Sequence, residues 1–435
     1  MVDMATFRSD KIVLLLEVMD SSFSVIGVGG LGGTIVANLA HEVKDISETC
    51  DIRFFLVDTE KGSLRRSYSM FPKELRHSLY IIPVSLSARE VEAYNQYYKV
   101  IDSNKYGLSE EELVKLARLV KVGKYDTLNK ILKDYNFKKN ELVEVVNAIK
   151  SIAKLGKRLK GSGKKFERGL ELFRNSYNVI SDVLTESGSE MNIVTGSFAG
   201  GTGSAGIPFI AKILSENLKD TLIIISGFKA RKIDGPIKQE NYIRSSSEAR
   251  RYSDLLIEHD IEQFKNSTPK EINNLFTQKH AVTIYFLARI LGYIEDDNTI
   301  TNVDYADFRT ALGERGTTIG EMYYIYDRIS RPQDIKDIIV KNLNEKVGTL
   351  PNRVVLFVDV PEDVRLEDID EMLKQVIDEG HTDVFQGIRQ TQSKDEVWVY
   401  YLPLYTSSIE KFAGKEDATV GSEFIVFGKG INFEI

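Results

Sequence analysis

Two stretches of this chain concentrate glycine where a backbone would need to come close to an anion. Residues 27–33 read G-V-G-G-L-G-G, and residues 196–206 read G-S-F-A-G-G-T-G-S-A-G. Each lies between an apolar run and a helical pattern. Glycine there lets main-chain amides approach a ligand, and the free N–H groups of a helix start favour negative charge. Two such segments in one parallel sheet converge on one crevice, beyond the carboxyl ends of the strands. The chemistry they suit is phosphate binding. Asp304 and Asp307 suit a different task. Three apart at a helix start, they lie on one face. Such carboxylates either complement the helix macrodipole or orient and polarise an attacking water.

The elements that must position these residues follow from hydrophobic periodicity. Short apolar runs at 23–28 (FSVIGV), 52–57 (IRFFLV), 192–197 (NIVTGS) and 221–228 (TLIIISGF) read as buried strands; a run over 79–86 is broken by Pro83. Helical spacing marks 34–43, 109–121, 140–156 and 207–218, and a long pattern covers about 271–294. No proline occurs between Pro83 and Pro208, so helix is unobstructed there. That stretch is also lysine-rich and reads as a solvated helical face. Alternating strands and helices imply a parallel sheet covered on both faces. After residue 350 the texture changes to strands (353–360, 384–388, 396–405) with one helix at 366–380, an α+β pattern.

Composition removes several classes. The 435 residues are 42% apolar and 28% charged, with a net charge of −7, the balance of a globular protein. The single cysteine, Cys50, excludes a disulfide framework and a cysteine-based metal centre. The five histidines lie too far apart for a local zinc motif. No apolar run reaches the roughly eighteen residues that a membrane span needs. A cytoplasmic location without membrane insertion is the expectation.

Three nucleotide readings compete for the glycines. Gly27, Gly29 and Gly32 satisfy G-x-G-x-x-G and Asp58 ends the next strand, a dinucleotide fingerprint that leaves the second segment unexplained. G-S-G-K-K at 161–165 fails as a P-loop, because Arg158 stands where glycine is needed and Lys165 where Ser or Thr is needed. The third reading rests on G-G-T-G-S at 200–204, which is close to the G-G-G-T-G-[S/T]-G signature of the tubulin/FtsZ superfamily of GTPases.

The resemblance extends over most of the chain. G-V-G-G-L-G-G resembles that family's first phosphate loop, and V-D-T-E-K-G-S-L at 57–64 its V-N-T-D-x-x-x-L loop. K-G-S-G-K-K-F-E-R-G at 160–169 is loosely similar to its G-A-G-A-N-P-E-x-G loop. N-V-D-Y-A-D-F-R-T at 302–310 is similar to its N-x-D-F-A-D-[VI]-x-T synergy loop, and G-T-T-I-G-E at 316–321 follows in the family's order.

That resemblance implies the tubulin/FtsZ fold: a Rossmann-like GTP-binding domain over 1–270, a central helix at 271–298, and a C-terminal α+β GTPase-activating domain over 299–435. It implies GTP or GDP with Mg²⁺ in the cleft. Gly29, Gly30, Gly33, Thr34, Gly200, Gly201, Thr202, Gly203 and Ser204 would cradle the phosphates, with Gly161 and Gly163 near the γ-phosphate. Glu60 would reach Mg²⁺ through water. Glu240 and Arg244 resemble a pair that meets the ribose and guanine side; four apart on a helix, they also read as an ordinary salt bridge. Asp260 is the aligned candidate for guanine, and Lys279 and His280 occupy the neighbourhood of the second base reader. Asn302, Asp304 and Asp307 would complete the catalytic site of the next subunit in a head-to-tail filament.

Departures from the family shape the remaining expectations. A helical insertion covers about 93–152, and a hairpin there would face a lateral neighbour. Ala199 replaces the first signature glycine, where a positive φ would be unfavourable. The final SEFIVFGKGINFEI reads as a last strand or a donated tail rather than a membrane-adaptor peptide. These features resemble the plasmid and phage branch, TubZ and PhuZ, which implies DNA segregation or positioning through a DNA-bound adaptor. A cell-division or cell-shape paralogue and a nucleotide-binding module without turnover are the alternatives; a Rossmann oxidoreductase stands further off.

Overall fold

The computed structural model describes residues 22–43, 51–102, 110–133, 161–163, 165–186, 189–259, 299–301, 303–320, 323–328, 353–361, 383–391 and 396–406, with single positions at 135, within 141–149 and 283–290, and within 364–367. Asn302, Asp260, Lys279, His280, most of the 271–298 helix, the 366–380 helix and the C-terminal segment lie outside the described residues.

The amino-terminal half alternates strand and helix as the periodicity predicts. β1 (Ser22–Val28) leads into α1 (Gly29–Glu42), and β2 (Asp51–Asp58) into α2 (Lys61–Met70). Among the described residues β3 (Leu79–Pro83) is followed by α3 (Ala88–Asp102), α4 (Glu110–Lys121) and α5 (Tyr125–Lys133). Then come α6 (Phe166–Asn175), α7 (Tyr177–Glu186), β4 (Met191–Ser197), α8 (Gly201–Asn217), β5 (Leu222–Phe228), α9 (Pro236–Arg250) and β6 (Leu255–His259). The remaining half holds β7 (Thr299–Thr301), α10 (Tyr305–Leu312), β8 (Thr318–Gly320), β9 (Tyr323–Arg328), β10 (Arg353–Pro361), β11 (Asp383–Thr391) and β12 (Glu396–Thr406).

Among the described residues the strands form one sheet in the order β3-β2-β1-β4-β5-β6-β8-β12-β10-β11-β7, with β9 on β12. The first six are all parallel. β12 runs antiparallel to β8, β9 and β10, which gives the mixed half expected after residue 350. Two parallel pairs, Leu256↔Ile319 and Ile257↔Gly320, join the halves.

Strand periodicity sorts the core into two layers. Phe23, Val25, Phe54 and Leu56 bury one face under α1 and α2. Ile26, Val28, Phe55 and Val57 bury the other under α6, α7 and α8. All seven residues of β5 are buried, as both-sided cover of a parallel strand requires. Each such aliphatic or aromatic side chain contributes roughly 1.5–3 kcal/mol.

The glycine segments correct one expectation. Residues 29–33 and 201–206 are not turns; they form the first turns of α1 and α8. Helical spacing of apolar residues, counted from Thr34 and Ile207, misses those turns because glycine carries no apolar side chain. Several glycines are there for close packing. A Cβ on Gly33 would sit 2.5 Å from the Ser67 hydroxyl of α2, and one on Gly206 2.4 Å from the Phe173 ring of α6.

Candidate nucleotide site

β1 and β4 are adjacent and parallel, with Val28 opposite Gly196. From β1 the chain proceeds to one side of the sheet and from β4 to the other, so the crevice opens at the carboxyl ends of this pair. α1 and α8 both begin there. Neither start is capped by a side chain: the N-cap residues are Val28 and Gly200, with no side-chain hydrogen bond. Their first N–H groups are unfilled by side chains and meet in one place, the arrangement that holds phosphate.

The two starts touch. Gly29 has φ +73°, and a Cβ on it would lie 3.2 Å from the Gly203 nitrogen. Glycine is required here both by conformation and by space. Gly30 is exposed, and Gly200 and Thr202 are half-buried. Two more segments close on them. The Thr59 hydroxyl lies 2.8 Å from that of Thr202, and Ser162 Oγ lies 3.4 Å from the same Thr202 oxygen. The Gly161 amide donates to the Thr59 carbonyl at 3.2 Å. Glu60 follows immediately, beside Gly161. Four segments far apart in sequence thus ring one cleft.

Asp58 supports this ring rather than lining it. Its carboxylate is buried and accepts from the amides of Thr59 at 2.7 Å and Glu60 at 3.1 Å. Burial pushes its carboxyl above the usual range, and hydrogen bonds from Ser63 and the two amides offset part of that rise. A carboxylate so engaged is not available for a ribose, which removes the dinucleotide reading of Asp58.

A cavity of about 590 Å³ lies between α6 and α9, lined by Phe166, Glu167, Glu240, Asn241 and Arg244 among others. Asn241 ties α9 to the glycine segment by donating to the Ala199 carbonyl at 3.3 Å. The expected Glu240–Arg244 salt bridge does not form. Arg244 instead pairs with Glu167 across the cavity and stacks on the Phe166 ring, 4.1 Å from its centroid. That hydrogen bond holds the Glu167 carboxyl below its ordinary range.

Three other expected positions sit differently. Gly33 packs α1 on α2, as described. Ser204 is fully buried and turns its hydroxyl to the Gly201 carbonyl at 3.4 Å. Thr34 donates to the Gly30 carbonyl at 2.9 Å, so its hydroxyl is spent within α1. Ala199 incurs no strain, because among the described residues only Ser85 outside glycine has positive φ. Thr59, Ser162 and Asn241 join the ring without having been singled out. Each adjoins in sequence a residue that had been: Glu60, Gly161 and Glu240.

The acidic pair occupies the opposite end of the strands. Asp304 is the N-cap of α10, and its carboxylate accepts from the Asp307 amide at 2.8 Å. Asp307 returns the contact to the Asp304 amide at 3.4 Å, completing a capping box. Both residues are exposed. α10 is fastened to the Asp220 carbonyl, just before β5, by Tyr305 Oη at 3.3 Å and Arg309 at 2.9 Å. Arg315 pins the next loop to Asp254 and to the Thr221 carbonyl. The glycine crevice lies beyond the other end of β5, about 20 Å away at ~3.3 Å per strand residue. No group of three or more metal-ligating side chains occurs among the described residues.

Comparison with known proteins agrees with this geometry. Residues 124–269 match the model of the Tubulin/FtsZ family, GTPase domain. The chain is 26% identical over 255 residues to the cell division protein FtsZ of Aquifex aeolicus, a match covering 55% of this chain and 65% of that protein. The chain therefore spans just under two thirds of that relative's length. Among solved structures it is similar to a GTPγS-bound protofilament of CetZ2 from Haloferax volcanii, at TM-score 0.59, 16% identity, and 90% and 96% of the two chains. It is also similar to an empty FtsZ dimer from M. jannaschii, at TM-score 0.57, 14% identity, and 91% and 92%. Residues 124–269 thus match the Tubulin/FtsZ GTPase domain, and the chain shares the fold of the CetZ and FtsZ structures.

Proposed function

We propose that this protein hydrolyses GTP at a site completed between two copies stacked head to tail, and that the stack is a dynamic filament. One observation carries the reading: the phosphate-binding crevice and the exposed acidic pair lie at opposite ends of the same strands. Within one chain they cannot meet, but one copy's acidic end can face the next copy's crevice.

The amides of Gly29, Gly30 and Gly200–Gly203, with the Thr202 hydroxyl, hold the phosphates by backbone donation. The cavity beside Phe166, Glu240 and Arg244 takes the ribose and base. Asp304 and Asp307 orient a water opposite the terminal phosphate and accept its proton. Mg²⁺ fits a site with one nearby carboxylate, because it is commonly held by substrate phosphates and water. Glu60 is that carboxylate, and the ion would offset triphosphate charge. Asn302 and Asp260 belong to the same reading, on the catalytic and base-binding sides. The nucleotide-binding unit is taken as 1–270, the linking helix as 271–298 and the activating unit as 299–435.

The filament's task in this proposal is to position plasmid or phage DNA in the cytoplasm through a DNA-bound adaptor. The helical insertion after β3 supports that branch over a division protein. Among the described residues no helix is long and apolar enough to cross a membrane.

GTP turnover per subunit, measured as protein concentration rises, tests the shared site. A threshold followed by steep activity, absent in Asp304→Ala while filaments persist, is the expected result. Activity that is flat per subunit and indifferent to Asp304 would mean a monomeric hydrolase. Absence of turnover with retained GTP binding would mean a binding module. Plasmid loss on deleting the gene, with normal division, tests the task; filamentous or misshapen cells would point to division or shape instead.

A further inference from the structure

The acidic pair sits at the start of α10, a helix of eight residues. A helix of about two turns does not hold its own direction, so outside contacts must supply it. Asp304 and Asp307 are exposed, Phe308 and Leu312 buried, and Tyr305 and Arg309 half-buried. Phe308 meets the Phe286 ring edge-on, with centroids 6.2 Å apart. These apolar contacts decide which side of α10 faces the core. They do not fix the tilt of its first turn, because the hydrophobic effect is non-directional.

Hydrogen bonds are directional, and one group of them holds this turn. Tyr305 and Arg309, one turn apart, both reach the backbone carbonyl of Asp220. Tyr305 Oη donates to it at 3.3 Å and Arg309 Nη1 at 2.9 Å. The same Arg309 nitrogen donates to Tyr305 Oη at 3.1 Å, so the three groups close a triangle. Burial raises the Tyr305 phenol above its ordinary value, against an opposing pull from Arg309, and so keeps its O–H as a donor. The far end of α10 has a separate hold. Arg353, at the start of β10, donates to the carbonyls of Thr310 at 2.9 Å and Ala311 at 3.1 Å. The triangle is therefore the directional contact beside the acidic pair, and Arg353 the one at the opposite end.

We propose that Tyr305 and Arg309 are positioning residues for hydrolysis: by gripping the Asp220 carbonyl they set the direction in which Asp304 and Asp307 face the next copy's terminal phosphate. The inference rests on the reading of the acidic pair given above. A displacement of about 1 Å at a reacting group can cost about a hundredfold in rate, so a pair carried on so short a helix depends on how its first turn is held.

GTP turnover of the full chain, with kcat, KM and the threshold concentration measured separately, tests it. Tyr305→Phe keeps the ring and leaves only the Arg309–Asp220 bond; kcat should fall about threefold. Arg309→Met keeps an apolar stem and removes two bonds; kcat should fall about tenfold. Arg309→Lys restores one donor and should recover part of that loss. The two side chains grip one carbonyl together, so the double variant should lose less than the product of the single losses. KM for GTP and the threshold should keep their wild-type values, because the crevice lies at the other end of the strands. Unchanged kcat in both single variants would overturn the proposal. So would a raised threshold or a lowered thermal midpoint at wild-type kcat, which would make the triangle a contact of the fold alone. Wild-type turnover that is indifferent to Asp304 is a different failure: the functional reading goes first, and this proposal goes with it.

Discussion

The hydroxyls of Thr59 and Thr202 lie 2.8 Å apart, although 143 residues separate them in sequence. Thr59 directly follows β2 and is almost fully buried; Thr202 stands in the first turn of α8. Their contact closes the crevice across β1, between the segments that follow β2 and β4. Thr202→Val keeps the shape and removes the hydroxyl, leaving Thr59 without this partner. A destabilisation of about 1–3 kcal/mol is expected, with weaker GTP binding. Thr202→Ser should retain most of both. Urea unfolding and nucleotide titration read the two effects separately.

Asp304 has two roles that different substitutions separate. As the N-cap of α10 it contributes about 1 kcal/mol, which Asp304→Ala removes. Serine caps a helix start nearly as well as aspartate but carries no charge. Asp304→Ser should therefore preserve thermal stability while losing concentration-dependent turnover. If turnover survives in Asp304→Ser, the carboxylate serves only the cap.

Asp359 is buried between two arginines, Arg289 at 2.7 Å and Arg389 at 2.7 Å. Arg289 also lies over the Phe357 ring, 4.4 Å from its centroid. Asp359→Ala would leave the buried Arg289 guanidinium without its carboxylate and take one partner from Arg389. Removing one member of a buried ion pair costs about 3–5 kcal/mol. A large fall in the thermal midpoint is expected. Asp359→Asn, which keeps hydrogen-bond acceptance, should fall less.

The loop before α9 gives a pH signature. Burial raises the Asp234 carboxyl, but hydrogen bonds from Lys238 and from the Arg231 amide and side chain outweigh it and hold it at about 2. Its ordinary unfolded value is near 4. A carboxyl depressed on folding contributes stability that is complete above the unfolded value and lost as pH falls through the folded one. The wild type should lose that contribution between about pH 4 and 2. Asp234→Asn should lack it throughout, so the two unfolding curves should converge in acid. Parallel curves down to pH 2 would contradict the assignment.

Much of the parallel half is legible in sequence because fully buried strands are continuous apolar runs. FSVIGV, IRFFLV and NIVTGS could hardly be anything else, and the acidic capping pair announces a helix start through its spacing. What is not legible has physical causes. Glycine hides helix starts, since periodicity counts side chains. Gly33 and Ser204 look like phosphate ligands in a motif, yet whether a residue faces a crevice or the next helix depends on packing. The Arg244–Glu167 clasp joins positions 77 apart and displaces the local i,i+4 pair that spacing alone suggests. Asp304 and Asp307 show their chemistry in sequence but not the end of the sheet they occupy.

β5 links both ends of the molecule. At its start the Asp220 carbonyl holds α10, and at its finish the Phe228 carbonyl receives the Phe198 amide beside the glycine segment. An extended strand is already near its contour length, at most about 3.6 Å per residue. Tension applied along a row of such subunits would therefore be carried by a strut that has no slack. In the filament proposed above, compliance must come from the joints between subunits, so when stretched it should break at a nucleotide crevice before the subunit lengthens.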